Sequence, residues 1–153
     1  MKISDETARE VTGKVLALYL SQKGEKTPIE KTQLEVNSKG IVGDKHYDTD
    51  SERSILITSL SSYTLAGSHD IDMKHSDLGE NLLIDFTPYS MPVGTRFKIG
   101  TVILQLSQSC TLCNHLSKID KRIPKLLKND RGVFAKVISA GVINVGDTIY
   151  LID

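Results

Sequence analysis

The chain has 153 residues, 39% of them hydrophobic and 25% charged, with 19 Lys+Arg against 19 Asp+Glu and a formal net charge of zero. That length suits one domain, residues 1–153, able to bury a core without disulfide or metal staples. The even charge balance argues against a nucleic-acid partner or an acidic membrane surface held by bulk charge, so an anionic ligand must be met by a local cluster.

Apolar residues recur mostly with period two, in short runs broken by Gly, Pro, Asn and Asp, which favours strands over helices. Strands are expected at Lys14–Leu20, Thr32–Val36, Ser54–Thr58, Asn81–Ile84, Arg96–Ile99, Val102–Ser107, Val133–Ser139 and Thr148–Ile152. Ser59 can cap a helix running to Ala66, Asn114 can start another toward Ile119, and a further turn follows Pro124. Phe97 to Leu104 reads as a hairpin through Gly100. Ala140-Gly141-Val142 reads as a second turn before Val145-Gly146-Asp147, each turn tying sequence-adjacent strands together. The expectation is a mainly β fold, barrel or sandwich, with a few short helices that plug or flank it. No fixed-period repeat or Gly/Ser/Pro-rich linker divides the chain.

Met1 to Glu10 is charged and lacks an apolar signal core, and no run approaches the roughly 18 apolar residues needed to cross a bilayer. The reading is a cytoplasmic protein off the membrane. Only two cysteines occur, Cys110 and Cys113. A disulfide so local would constrain little of the unfolded chain, so redox, metal or nucleophile chemistry is the better reason for the pair.

Both thiols sit after a predicted strand and at the predicted start of a helix, in Ser107-Gln-Ser-Cys110-Thr-Leu-Cys113-Asn-His115. Helix N-terminal amides and dipole lower a thiol pKa from about 8.5 and favour thiolate, which suits a thiophilic metal or a persulfide. His115 can add positive charge. Three alternatives stay open: two small core cysteines, a thioredoxin-like redox pair, or half of a zinc site. The zinc reading lacks a second paired spacing among His46, His69 and His75, and the redox reading lacks long helices alternating with the strands.

Three further clusters carry polar chemistry. Gly40-Ile-Val-Gly43-Asp44-Lys45-His46, followed by Arg53, sets donors and an acceptor on one turning loop, either an anion site or a solvated turn. In Asp77-Leu-Gly79-Glu80-Asn81-Leu82, Glu80 and Asn81 can bind a ligand or satisfy loop amides. Arg131, in Arg131-Gly-Val-Phe-Ala135, offers a planar guanidinium to a phosphate or carboxylate, or forms a surface ion pair. His69 and His75 lie in a polar loop and are assigned no role.

The order and spacing of these clusters, closed by Gly141-Val-Ile-Asn-Val-Gly146-Asp147 and spanning about Lys14 to Ile152, resemble the MOSC family, the molybdenum cofactor sulfurase C-terminal domain. The resemblance implies a β-barrel-like fold with a reactive cysteine in a cleft lined by the motif loops, where the barrel opens. By position Cys113 matches the family cysteine, as a molybdenum ligand or persulfide carrier, with Cys110 as a nearby second thiol. Leu112 stands where the family usually has Pro. The resemblance further implies a molybdenum cofactor (molybdopterin) bound by Gly43, Asp44, His46, Arg53, Glu80, Asn81 and Arg131. The sequence holds no counterpart of the pyridoxal-phosphate desulfurase domain, so the expected partner is a separate cysteine desulfurase, a molybdoenzyme or a cofactor-biosynthesis protein. Alternatives are a molybdenum-dependent reductase of N-hydroxylated compounds, fed by redox partners, and a noncatalytic binding or assembly module.

Overall fold

The computed structural model describes residues 10–110 and 116–152. Cys113 and the Asn114 helix start lie outside them. Eleven strands and three short helices are described: β1 Glu10–Leu20, β2 Ile29–Lys31, β3 Gln33–Asn37, β4 Gly40–Ile41, β5 Ile55–Ser59, α1 Leu60–Ser68, β6 Leu82–Ile84, β7 Arg96–Ile99, β8 Val102–Ser109, α2 Leu116–Ile119, α3 Ile123–Leu126, β9 Val133–Ser139, β10 Gly141–Asn144 and β11 Thr148–Ile152, with a 3-10 turn at Ser51–Arg53 before β5.

Seven strands close on themselves in the order β1, β11, β7, β8, β9, β5, β6, because β1 pairs with β11 as well as with β6. Closure removes the exposed sheet edges that would otherwise invite aggregation. β2 adds to the end of β1, and β10, β3 and β4 form a small second sheet. Every barrel pairing is antiparallel except β5 with β6. Parallel neighbours need a long crossover, and here it runs through α1 and the loop that follows it. Ser59 caps α1 as expected, its Oγ accepting from the Ser61 amide at 3.1 Å.

Alternating residues fill the barrel. Ile55 and Ile57 of β5, Val133 and Ala135 of β9, and Leu104 and Leu106 of β8 join one buried interior cluster. A second cluster lies outside the wall, where Ala17, Tyr19 and Leu83 meet Tyr63, Ala66, Leu116, Ile123 and Leu127. The helices therefore flank the barrel. β1 serves both clusters through a bulge at Leu16, where Val15 pairs with Ile84 and Ala17 with Leu83. The extra residue puts Val15, Leu18 and Leu20 inward and Ala17 and Tyr19 outward, an effect proper to a bulge.

The expected turn at Ala140-Gly141-Val142 is corrected. Gly141 opens β10, which leaves β9 and pairs with β3, so neither it nor Val145-Gly146-Asp147 closes a hairpin. The apolar residues of Gly141–Asn144 complete the smaller sheet, where Ile143 is fully buried. The Gly100 hairpin is as expected, joining β7 to β8. Among the described residues no helix is long and apolar enough to cross a membrane.

Candidate functional site: a cationic cleft on the barrel wall

Because side chains alternate across a strand, the residues of β5 and β9 between those that fill the barrel interior point outward. Leu56 and Phe134, a cross-strand pair, form part of the floor of a cleft of about 630 Å³. Its walls come from the segment after β1, the 45–46 turn, Arg53, the 74–79 loop and Cys110. The cleft therefore lies over the outer face of two strands.

A buried polar frame stands behind this cleft. Asn81 accepts from the Leu56 amide at 3.0 Å and donates to Tyr19 O and Asp44 Oδ1, both at 3.2 Å. One side chain thereby ties β1, β5 and the 41–46 turn. Asp44 also accepts from the amides of Ser21 at 2.9 Å and His46 at 3.0 Å, and its Oδ2 lies 3.3 Å from His46 Nδ1. Burial works to raise the Asp44 pKa, but the hydrogen bonds from the His46 ring and the two amides outweigh it and the net shift is down. Asp44 is therefore ionised at neutral pH. Gly43 takes φ +88°, the left-handed region that costs glycine least, and delivers Asp44 into this frame.

Glu80 plays the same part for the opposite wall. Both of its oxygens lie 2.8 Å from the Tyr63 hydroxyl, and Oε2 accepts from the Ser76 amide at 3.0 Å, while the Leu78 amide donates to the Tyr63 oxygen at 3.1 Å. Burial pushes the Glu80 pKa up, and the hydrogen bonds from Tyr63 and Ser76 recover only part of the shift. Burial, then the nearby Glu80 charge, also drives the Tyr63 phenol well above its ordinary value. Glu80 thus anchors the loop that lines the cleft and does not line it itself.

The exposed lining is cationic. Lys26, Lys45, Arg53 and Lys74 face two carboxylates, Glu25 and Asp77, with His46 and His75 in addition. In a neutral chain this is a local concentration of positive charge. The Arg53 guanidinium rests 4.7 Å from the Phe134 ring centroid, a stacking that pre-orients its planar donors. Cys110 is 5% exposed and lies on the cleft wall, its amide donating to Gly132 O at 3.0 Å.

Of the sequence-predicted residues, His46, Arg53, Asn81 and Cys110 line one cleft, with Asp44 and Glu80 immediately behind them. Arg131 does not line it: Nη2 donates to Pro124 O at 2.9 Å. Cys113 lies outside the described residues. Lys26 and Lys74 line the cleft unpredicted, since isolated charged residues in loops carry no motif, and so does His75, which the sequence reading assigned no role. His75 also packs against Tyr63, ring centroids 5.0 Å apart. His69 is exposed and bonds locally to Ser68 and Leu65.

The family model for the MOSC domain matches residues 42–150. The chain belongs to the MOSC domain family. That family is associated with molybdenum cofactor-related function. This MOSC domain superposes on the YuaD protein of Bacillus subtilis with TM-score 0.79 at 18% identity, covering 91% of this chain and 94% of that one. It superposes on YiiM of Escherichia coli with TM-score 0.69 at 19% identity, covering 92% and 70%, and on YiiM of Geobacillus stearothermophilus with 0.72 at 15%, covering 93% and 76%. At these identities the likeness is one of fold. No functionally curated protein matches the sequence.

Proposed function

We propose that this domain binds the molybdenum cofactor in the cleft over β5 and β9, or carries sulfur there as a cysteine persulfide for metal–sulfur cofactor chemistry. The observation that carries the reading is the convergence of Arg53, Lys26, Lys45 and Lys74 with the Cys110 thiol around one cleft, in a chain whose formal net charge is zero. The described residues fit the cofactor: its phosphate needs cations, its metal needs a soft donor, and about 630 Å³ lies within the roughly 300–1,000 Å³ usual for small-molecule sites. When bound, the cofactor supplies a redox-active, thiophilic metal that side chains lack.

The residues divide the work. Arg53 would hold the phosphate through its planar guanidinium, and the three lysines would add charge. Asp44, Glu80 and Asn81 hold the walls. Cys113, the family cysteine by position, is the assigned metal ligand, and either it or Cys110, three positions earlier, is the persulfide carrier. As a carrier, its thiolate attacks the terminal sulfur of a donor persulfide; the new S–S bond forms here, the donor's S–S bond breaks, and the donor leaves as a thiolate. The partner is then a separate cysteine desulfurase, with a cytoplasmic molybdoenzyme or cofactor-biosynthesis protein as recipient.

The test is anoxic purification from a molybdenum-replete host, with metal analysis, pterin fluorescence and intact-mass detection of persulfide. Wild type is expected to carry metal with pterin, or a persulfide, with Cys113→Ala losing the metal and Cys113→Ala or Cys110→Ala losing the persulfide. A wild-type protein with neither overturns the proposal.

A further inference from the structure

We infer that His46 is the proton acceptor of the cleft, held by Asp44 in the tautomer that presents Nε2 as a lone pair. The inference rests on the proposed thiol chemistry of this cleft and assigns it a base. Asp44 Oδ2 accepts from the His46 amide at 3.0 Å and lies 3.3 Å from His46 Nδ1, while Oδ1 accepts from the Ser21 amide at 2.9 Å and the Asn81 carboxamide at 3.2 Å. A carboxylate so placed is an acceptor only. The ring nitrogen facing it must therefore carry the hydrogen. A neutral imidazole has a single N–H, so Nε2 keeps its lone pair.

A loop-building role needs only the bond from the His46 amide to Asp44, the ordinary local turn of an aspartate. The additional ring contact orients the imidazole. The ring is not buried in return, its side chain being 54% exposed, and it lines the same cleft as Cys110. Among the described residues no hydrogen bond engages Nε2. The charged and titratable groups that share the cleft are Glu25, Lys26, Lys45, Arg53, Lys74, His75 and Asp77. The four cations among them offer a counter-charge to a thiolate, as a base-activated nucleophile requires.

In the step so assigned, Nε2 takes the S–H proton of Cys110, which lines the same cleft, and the bonding pair stays on sulfur. The thiolate attacks the terminal sulfur of a donor persulfide, and the donor's S–S bond breaks. The departing donor thiolate recovers the proton from the imidazolium, restoring His46. Asp44 acts only through the ring and is a positioning residue.

Two readouts test this without any bound cofactor. Long-range proton–nitrogen correlation spectra of 15N-labelled protein at alkaline pH, with His46 assigned by its loss in His46→Gln, are expected to show hydrogen on Nδ1; hydrogen on Nε2 overturns the inference. The pH profile of iodoacetamide alkylation of Cys110 is read in parallel, with that thiol assigned by its loss in Cys110→Ala. His46→Gln, at an exposed ring, is expected to slow alkylation at neutral pH about tenfold and to move the inflection up toward the ordinary thiol value of about 8.5. An unchanged profile overturns the inference. Asp44→Asn is expected to shift the ring toward the Nε2–H form. Should that variant not fold, the His46→Gln profile still decides. Loss of cofactor and persulfide from wild type with these readouts intact would remove the proposed function and leave the base in place.

Discussion

Asn81 offers the sharpest test of the frame behind the cleft. The residue is 4% exposed, and its carboxamide serves three partners: the Leu56 amide, the Tyr19 carbonyl and the Asp44 carboxylate. Asn81→Ala removes the bond to each of the three. Asp44 Oδ1 keeps the Ser21 amide, so the main loss falls on the Leu56 N–H and the Tyr19 C=O. At about 1–3 kcal/mol for each stranded buried group, the change costs about 4 kcal/mol, near the extreme for a single substitution. For a domain of this size that lowers the melting temperature by about 8–16 °C. Urea unfolding followed by circular dichroism measures the loss. Asn81→Leu separates the causes, because it fills the space but leaves the same groups unpaired; it is expected to be as harmful as Asn81→Ala. Should Asn81→Leu come within about 1 kcal/mol of wild type, the loss in Asn81→Ala would be a cavity effect and the carboxamide would not be the tie between β1 and β5.

Three other outcomes are expected. Arg53→Ala should weaken binding of inorganic phosphate or a pterin phosphate about tenfold or more by calorimetry, with Arg53→Lys recovering only part, since a lysine lacks the planar fork and the contact with Phe134; equal affinity in Arg53→Ala would remove Arg53 from the site. Gly132 has φ +144°, and a Cβ there would stand 2.9 Å from Leu56 Cδ1 and 3.1 Å from Ile57 O. Gly132→Ala should therefore cost about 1–3 kcal/mol, seen as a lower urea midpoint. The Glu80 pKa is raised in the folded state by burial, so its contribution to stability is full below the unfolded value of about 4.5 and is lost as pH rises through the folded value. Glu80→Gln should remove that decline, and urea titrations across the range above 4.5 will show a flatter stability curve if this is right.

The barrel was most legible where a strand is buried on one face and alternates. Arg96–Ile99, Val133–Ser139 and Thr148–Ile152 occur with the bounds that alternation predicts. β2 and β4, three and two residues long, are too short to show a period. The bulge at Leu16 is invisible as well, since it makes both faces of β1 apolar and blurs the pattern it creates. Loop destinations are the remaining gap: that β10 joins β3 depends on long-range pairing, which no local signal at Gly141 encodes. The site divides the same way. Asp44, His46, Arg53, Glu80 and Asn81 stand in recognisable order, whereas Lys26, Lys74 and His75 reach the cleft only because the chain brings their loops there.

That division has a physical cause that bears on what the motifs mean. The motif residues with the most hydrogen bonds, Asp44, Glu80 and Asn81, are buried and spend their polar atoms on backbone amides, carbonyls and one another. A group so committed has little left for a ligand, because each donor or acceptor can be satisfied only once or twice. Their types are restricted by the geometry of the loops they hold, which is why they form readable patterns. The groups exposed to a ligand, Arg53 and the lysines, satisfy only charge and reach, and several placements would serve. The buried part of the pattern, Asp44, Glu80 and Asn81, therefore holds the frame of the cleft, and under the proposed function ligand preference is expected to reside in the exposed cations around it. On this argument, exchanging the lysines should alter which anion is bound while leaving the fold intact, and exchanging the buried carboxylates should disturb the fold first.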